Sequence, residues 1–290
     1  VSASRRSSST ISIRIWPPSF LSASIPQKKP PCQRRKQSGT ICLQIFQRHF
    51  SNGRYTLPIR KRGKEVTPAM EFRHEWKHEL SPGDLPALRS RLRAVARADE
   101  HGENGAYRIR SLYFDTPTDR ALREKIDGVA RREKFRLRRY GGGSLIRLEK
   151  KSKLGGLCAK EQAPVTEEEV RALLSGDTDW MRFSSRDLVW ELYQKMNTQL
   201  LRPRVIVEYA REAYVYAPGN VRVTLDANIR TGLRSTDFLA PDCVTIPAAD
   251  AVVLEVKWDG YLPDRIRGAV QVEGRRTAAF SKYAVCRRYG

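Results

Sequence analysis

The chain has 290 residues, of which 54 are Lys or Arg and 32 are Asp or Glu, so its formal net charge is +22. This length allows one large domain or two small ones, and 40% hydrophobic residues are typical of a globular protein. No segment reaches the roughly 18 consecutive apolar residues of a membrane-spanning helix. The five cysteines lack CxxC spacing, which excludes a zinc ribbon and disfavours a disulfide framework. The net charge raises the hypothesis of a polyanionic partner, with nucleic acid as the first one to test.

The positive charge is concentrated ahead of Met70. Residues 1–69 contain 14 Lys or Arg and a single acid, Glu65, whereas residues 70–290 contain 40 basic and 31 acidic residues, a net +9. The first segment is rich in Ser and Pro and has no sustained periodicity, so we predict a disordered basic extension over residues 1–69. Its composition is typical of an organellar transit peptide. The alternative, which we favour, is that this extension lies upstream of a true start at Met70, because the chain opens on Val1 and the composition changes at that methionine.

Residues 70–290 are predicted to form one α+β domain. Alternation of polar and apolar residues predicts at least six strands, at 107–114, 133–140, 144–151, 205–215, 220–230 and 251–258. Helices are predicted after the Ser81-Pro82 cap, after the Thr166 capping box with Glu169, and after Ser185. No βαβ order repeats, which indicates an α+β arrangement rather than an α/β fold.

The predicted strands carry aliphatic residues on one face and charged residues on the other. Lys134, Arg136 and Arg138 share a face of one strand, for example. A sheet with one solvated face gives the same alternation. However, neighbouring like charges repel unless an anion lies between them, and the pattern recurs on nearly every strand. This recurrence favours the lumen of a closed barrel.

Several local motifs point to functions that their context does not support. The segment His74–His78 matches the HExxH pattern of zinc proteases. If the segment is a strand, the two imidazoles lie about 13 Å apart, too far to bind one metal. The positions of Phe72, Trp76 and Leu80 would also suit a helix. The glycine run 141–143 lacks the Lys-Ser/Thr of a P-loop and is interpreted as a hairpin turn. No GxSxG motif occurs, and no interleaved aromatic residues support specific nucleic-acid recognition.

A lumen with many Arg and Lys and few carboxylates suits a condensed phosphate bound with a divalent cation. Guanidinium groups bind phosphate oxygens in bidentate fashion, and carboxylates hold Mg²⁺ or Mn²⁺, which bridges phosphate oxygens. The carboxylates are too few for a glycosidase-type pair.

Eight short motifs, in order from about Glu71 to Tyr289, resemble the VTC domain. This is the polyphosphate polymerase domain of the vacuolar transporter chaperone complex, in the triphosphate tunnel metalloenzyme (CYTH-like) superfamily. The motifs are RHEWK (73–77), SLYFD (111–115), KFRLR (134–138), LEKK (148–151), YAR (209–211), RVTLD (222–226), LEVK (254–257) and FSKY (280–283). The resemblance implies an antiparallel eight-stranded β-tunnel with flanking helices. It implies transfer of the γ-phosphate of ATP to a polyphosphate chain inside that tunnel.

The resemblance also implies roles for individual residues. Those expected to act on the phosphates are Lys77, Arg136, Arg138, Lys151, Arg211, Arg222 and Lys282. Further substrate-binding residues are expected to be Arg73, Lys134, Lys160, Tyr209 and Ser281. The expected metal ligands are Glu255, then Glu75 and Glu149, for Mn²⁺ or Mg²⁺.

Simpler interpretations stay open for some of these residues. Lys77 and Arg138 could be solvated surface residues, and Glu255 could be only an ion-pair partner of a lumen arginine. Asp115 and Asp226 are interpreted as structural.

The implied partners are ATP, triphosphate or polyphosphate, without specific nucleic acid. The implied location is cytoplasmic, with membrane association through a partner protein as an alternative. The sequence departs from the eukaryotic polymerases at Ala279, where they carry a lysine just before the Phe-Ser-Lys motif. A triphosphatase and a non-catalytic polyanion-binding module therefore remain alternatives, as does nucleic-acid binding by residues 1–69.

Overall fold

The computed structural model describes residues 73–99, 105–141, 143, 145–272, 274 and 279–289. The predicted basic extension, residues 1–69, and the candidate start at Met70 lie outside the described residues.

Strands dominate the described residues and pair in one antiparallel sheet. The strands are β1 (His74–Leu80), β2 (Arg97–Ala98), β3 (Ala106–Asp115), β4 (Arg131–Tyr140), β5 (Ile146–Leu154), β6 (Leu157–Val165), β7 (Arg202–Tyr216), β8 (Val221–Thr231), β9 (Ile246–Ala249) and β10 (Val252–Trp258). The six predicted strands correspond to β3, β4, β5, β7, β8 and β10. Strand β6 was not predicted, because it contains Pro164 and its polar and apolar residues do not alternate cleanly.

Eight of these strands lie side by side in the order β1-β10-β8-β7-β3-β4-β5-β6, while β2 pairs with β7 and β9 pairs with β8. The sheet curls until its first and last strands meet. They meet at one bridge, where Arg73 N donates to Cys158 O at 3.1 Å and Cys158 N donates to Arg73 O at 3.4 Å. The expected α+β fold, an antiparallel tunnel of eight strands with flanking helices, is confirmed. The hydrogen-bonded ladder between β1 and β6 is limited to this bridge within the described residues.

Helices flank the sheet, and three of them begin close to the predicted signals. They are α1 (Leu85–Val95), α2 (Arg120–Ile126), α3 (Glu167–Ser175), α4 (Asp179–Arg182), α5 (Asp187–Thr198), α6 (Asp264–Ala269) and α7 (Lys282–Cys286). At α3 the predicted capping box is present, since Thr166 Oγ1 accepts a hydrogen bond from Glu169 N and Thr166 N donates to the Glu169 carboxylate. Ser81 and Pro82 open a short 3₁₀ turn that leads directly into α1.

The helices cover the aliphatic outer face of the sheet. Phe135, Leu137 and Leu148 of β4 and β5 pack against α3, α4 and α5. Val223 and Leu254 of β8 and β10 pack against α1 and α6. The predicted division of each strand into an apolar face and a charged face is therefore observed, and the charged face points inward.

The His74–His78 segment is a strand, as the rejection of the zinc-protease motif required. The His74 ring stacks on Trp258, with ring centroids 5.3 Å apart. Among the helices that the structure describes, none combines the length and the apolar character needed to cross a membrane.

Candidate active site

A cavity of about 1050 Å³ lies on the inner, charged face of the sheet. Fifteen Lys or Arg residues line it, against four Asp or Glu residues. This excess of positive side chains is larger than the +9 of residues 70–290 as a whole. The charge of the domain is therefore directed into the cavity rather than spread over the outer surface.

The structure brings almost all of the predicted site residues to this cavity. Those that line it are Arg73, Glu75, Lys77, Lys134, Arg136, Arg138, Lys151, Lys160, Tyr209, Arg211, Arg222, Glu255, Ser281 and Lys282. Glu149 does not line it. This carboxylate is fully buried behind the wall, where it contacts Arg136, Arg138 and Lys160.

A row of lysines crosses three neighbouring strands of the wall. Lys134 of β4 lies directly opposite Lys151 of β5, and Lys151 lies opposite Lys160 of β6. Directly opposed like charges destabilise a sheet. A bound anion would offset this cost, because each ammonium is a point charge that can contact phosphate oxygens.

Lys134 is the least compensated member of the row. Within the described residues it has no ion-pair partner, and its ammonium lies 5.5 Å and 5.9 Å from the ring centroids of Tyr113 and Tyr283. Burial lowers the pKa of Lys134 to about 8, assisted by the nearby positive charges of Lys151 and Arg136. Lys134 is therefore a partly buried cation whose charge no carboxylate balances within the described residues.

Two glutamates on adjacent strands face the cavity among lysines. Glu75 of β1 contacts Lys77, Lys151 at 2.7 Å and Lys257 at 3.8 Å. Glu255 of β10 contacts Lys257 at 2.7 Å and Lys77 at 3.5 Å. Burial alone would raise the pKa of Glu75, and so would the charge of Glu255, but the surrounding lysines outweigh both and lower it to about 2. The pKa of Glu255 is also held well below its usual range, because the same lysines outweigh its burial.

These two ionised carboxylates fit a divalent cation of the Mg²⁺ type. Such a cation takes oxygen ligands and is often held by one or two carboxylates together with substrate phosphates. Among the described residues, no group of three or more His, Cys, Asp or Glu could hold a metal ion. A cation held by Glu75 and Glu255 would need further oxygen ligands, which a bound phosphate could supply. Glu149 is less suited, because it does not face the cavity and already contacts two arginines.

Two arginines of β4 are fixed in orientation by hydrogen bonds. Arg136 donates to Glu149 at 2.8 Å and to the Tyr113 hydroxyl at 2.7 Å. Arg138 donates to the Tyr209 hydroxyl at 2.9 Å. Burial raises the pKa of Tyr113, but the adjacent positive charges, first that of Arg136, outweigh burial and bring it to about 7. Guanidinium groups held in this way are preorganised for bidentate contacts with phosphate.

The C-terminal helix α7 adds Lys282 to the cavity wall. Ser281 is the N-cap of this helix, since its Oγ accepts a hydrogen bond from Ala284 N at 3.3 Å. The Tyr283 hydroxyl donates to Asp115, whose carboxylate also accepts hydrogen bonds from backbone amides at the start of α2. Asp115 therefore has the structural role expected of it, because it ties α7 to α2 and so fixes the position of Lys282.

Ala279, the departure from the family pattern, also lines the cavity. The backbone oxygen of Ala279 accepts a hydrogen bond from Lys125 Nζ at 2.7 Å, and Lys125 lines the cavity as well. Helix α2 thus places an ammonium group beside the position at which the family pattern has a lysine.

Three residues important to the geometry were not among the predicted site residues. Lys257 and Tyr113 line the cavity, and Asp226 joins Arg211 to Lys282. Strand parity could have identified Lys257 and Asp226, since they share inward faces with Glu255 and Arg222. The contact between Asp226 and Lys282 depends on where α7 packs, which periodicity does not reveal.

Solved structures with a similar fold have low sequence identity to this chain. A candidate adenylate cyclase from Bacillus halodurans is 15% identical, with 64% of this chain and 80% of that chain covered and a TM-score of 0.42. A candidate adenylyl cyclase from Hippeastrum, described as having a dominant triphosphatase activity, is 16% identical, with 74% and 95% covered and a TM-score of 0.44. The PH1819 protein of Pyrococcus horikoshii is 13% identical, with 68% and 84% covered and a TM-score of 0.33. No curated protein sequence matches the chain.

The family assignment comes from the sequence itself. The profile of the VTC domain matches residues 72–289, which include every strand and helix described above. This match confirms the resemblance inferred from the eight motifs. The chain therefore belongs to the VTC domain family.

Proposed function

We propose that this protein is a metal-dependent phosphotransferase that moves the γ-phosphate of ATP onto a polyphosphate chain inside the cavity. The observation that carries the proposal is the row of Lys134, Lys151 and Lys160, which are directly opposed across three strands. The row faces a cavity whose charged lining residues are mainly basic. Such a row is costly in the absence of a ligand and is well suited to a ligand with several adjacent negative charges.

The division of labour among the side chains follows from their chemistry. Arg136, Arg138 and Arg211 would bind phosphate oxygens through paired N–H groups, and the lysines would add point charges. Glu75 and Glu255 would hold Mn²⁺ or Mg²⁺, and such a cation would supply positive charge to offset that of the phosphates. A terminal phosphate oxygen of the acceptor would attack the γ-phosphorus in line while its bond to the β–γ bridging oxygen breaks and ADP leaves. This step requires positioning and electrostatic stabilisation, without a covalent enzyme intermediate.

A triphosphatase, in which water replaces the phosphate acceptor, is the second candidate. Ala279 favours it, because the polymerases that the chain resembles carry a lysine at this position near the Phe-Ser-Lys motif. Without that lysine, the site would make fewer contacts with an acceptor chain, so water could attack the γ-phosphate instead.

The test is to incubate the purified full chain with ATP and Mn²⁺ and to measure long-chain polyphosphate and free phosphate separately. Polyphosphate formation is the expected result. Free phosphate without polymer would replace the proposal with the triphosphatase. Neither product, together with tight binding of inorganic tripolyphosphate, would contradict both enzymatic functions and leave a binding module. A reaction without added metal and with a chelator is the control.

A further inference from the structure

Asp226 lies behind the basic wall of the cavity rather than in it. Its side chain has no exposed surface and does not line the cavity, in contrast to Glu75 and Glu255. A ligand in the cavity would therefore not touch this carboxylate. Any influence of Asp226 on binding must pass through the residues that it contacts.

Both of the charged residues that Asp226 contacts line the cavity. Asp226 Oδ1 accepts a hydrogen bond from Arg211 Nε at 2.6 Å, and Oδ2 accepts one from Arg211 Nη2 at 2.7 Å. Lys282 Nζ lies 2.5 Å from the same Oδ2. This arrangement uses two of the five N–H donors of the guanidinium and fixes its plane. The remaining donors of Arg211 stay available to a ligand.

The contacts of Asp226 join three elements of the fold. Asp226 belongs to β8, Arg211 to the neighbouring β7 and Lys282 to the C-terminal helix α7. Arg211 and Lys282 also lie over the ring of Tyr209, 5.3 Å and 4.8 Å from its centroid. Arg211 and Lys282 would repel each other at these positions beside Tyr209. The buried carboxylate of Asp226 contacts both cations and so holds them together.

The charge of Asp226 is permanent over the working pH range. Burial would raise its pKa, but Arg211 and then Lys282 outweigh burial and keep the pKa below the ordinary value. Burial would lower the pKa of Arg211, but the charge of Asp226 outweighs burial and raises this pKa well above its usual range.

We propose that Asp226 is a positioning residue for condensed-phosphate binding, which orients Arg211 and Lys282 toward the cavity. The inference deepens the proposed function and rests on it. A buried carboxylate could also compete with phosphate for the same two cations, so its removal could in principle strengthen binding. Positioning outweighs competition here because two unpaired cations left side by side would turn apart and lose the geometry that a phosphate group needs.

The experiment is a calorimetric titration of the full chain with inorganic tripolyphosphate, comparing wild type with Asp226→Asn. The substitution keeps the shape of the side chain and removes its charge. We expect the affinity to fall by about tenfold or more, the range typical of second-layer residues that orient ligand-binding groups. Unchanged or tighter binding would overturn the proposal.

A double-mutant cycle with Lys282→Met separates positioning from a general loss of stability. If Asp226 acts partly through Lys282, the loss in the double variant will be smaller than the product of the two single losses. Losses that multiply fully would show that the two residues act independently, and would contradict the proposal.

Glu208→Gln is the matched control. Glu208 is also buried and pairs with Arg110 across β7 and β3, but neither residue lines the cavity. We expect this control to lose stability and to keep its tripolyphosphate affinity. If Glu208→Gln lost as much affinity as Asp226→Asn, the loss in Asp226→Asn would be explained by destabilisation, and the proposal would be overturned.

Two further outcomes keep the inference separate from the proposed function. If Asp226→Asn does not fold, Asp226→Glu retains the charge and displaces the carboxylate, and wild-type affinity in that variant would overturn the proposal. If the wild type itself binds no tripolyphosphate, the proposed function fails. If the wild type binds and Asp226→Asn binds equally well, only this inference fails.

Discussion

Two consecutive lysines of β5 lie in opposite surroundings. Lys150 points to the outer face, where it contacts three carboxylates, Glu133 at 3.9 Å, Glu161 at 3.1 Å and Glu191 at 2.8 Å. Lys151 points into the cavity, where it shares Glu75 with two other lysines and faces a lysine on each neighbouring strand. On the outside one lysine is surrounded by glutamates, and on the inside one glutamate is surrounded by lysines.

This difference shows how the two faces of one strand use charge. The outer network is balanced within the protein and links β5 to α5, so it needs no ligand. The inner set has an excess of cations, which an anion bound in the cavity would balance. Within the described residues, much of the positive charge that first suggested nucleic acid lines a cavity of about 1050 Å³. Under the proposed function, this charge serves a small anion rather than nucleic acid.

Glu255→Gln should produce the largest effect, because it removes one of the two cavity carboxylates suited to a divalent cation. We expect ATP turnover to fall by roughly 100-fold or more, in line with the loss of one key electrostatic group. Circular dichroism should stay unchanged, since the amide has the same shape. Turnover near the wild-type rate would remove Glu255 from the metal site and leave it as an ion-pair partner of Lys77 and Lys257.

Lys134→Met should affect stability and affinity in opposite directions. Removing the uncompensated cation should stabilise the ligand-free protein by on the order of 0.5–1 kcal/mol, because it removes the repulsion between Lys134 and Lys151. The affinity for tripolyphosphate should fall, by about tenfold. Thermal unfolding with and without tripolyphosphate measures both effects, and a variant that is less stable without ligand would contradict the account of the lysine row.

Stability and tripolyphosphate affinity should also depend on pH in opposite directions. The pKa values of Lys134 and Lys257 are lowered to about 8, whereas unfolded lysines titrate near 10.4. Between these values the unfolded chain binds more protons, so these two residues should make the ligand-free protein more stable as the pH rises from about 8 to 10. Tripolyphosphate affinity should fall over the same range, because the cations are lost. Denaturant unfolding and titration at pH 7, 8 and 9 check both trends, and Lys134→Met should flatten them.

Lys125→Ala should have the smallest effect. The ammonium of Lys125 lies beside Ala279 at the cavity and is held by one hydrogen bond to a backbone oxygen. We expect KM for ATP to rise about threefold with little change in kcat, since an edge cation contributes mainly to binding. A large fall in kcat instead would place Lys125 among the residues that act on the transferred phosphate.

Much of the fold and of the cavity wall could be predicted from the sequence, because strands alternate with a period of two. From the sequence alone, that period assigns Arg136, Lys151 and Arg222 to the charged face. The two-residue period shows which face of the sheet a side chain is on. It does not show whether that side chain faces the cavity or is buried behind other side chains. Glu149 shares a face with Lys151 along β5, yet it is buried behind Arg136 rather than facing the cavity.

Residues brought together by distant segments were also beyond prediction. The pairing of Asp226 with Lys282 depends on the packing of α7, and the closeness of Lys125 to Ala279 depends on that of α2. Strand β6 was missed because Pro164 and its polar residues obscure the alternation.

The most direct test of the account is a tripolyphosphate titration of Lys151→Met beside Lys150→Met. The two variants change neighbouring residues of one strand by the same chemistry, and both side chains are largely buried. We predict that Lys151→Met loses at least about tenfold in affinity, while Lys150→Met loses stability and keeps wild-type affinity. Equal losses in the two variants, or no binding by the wild type, would contradict the claim that the inner face of this sheet is a site for condensed phosphate.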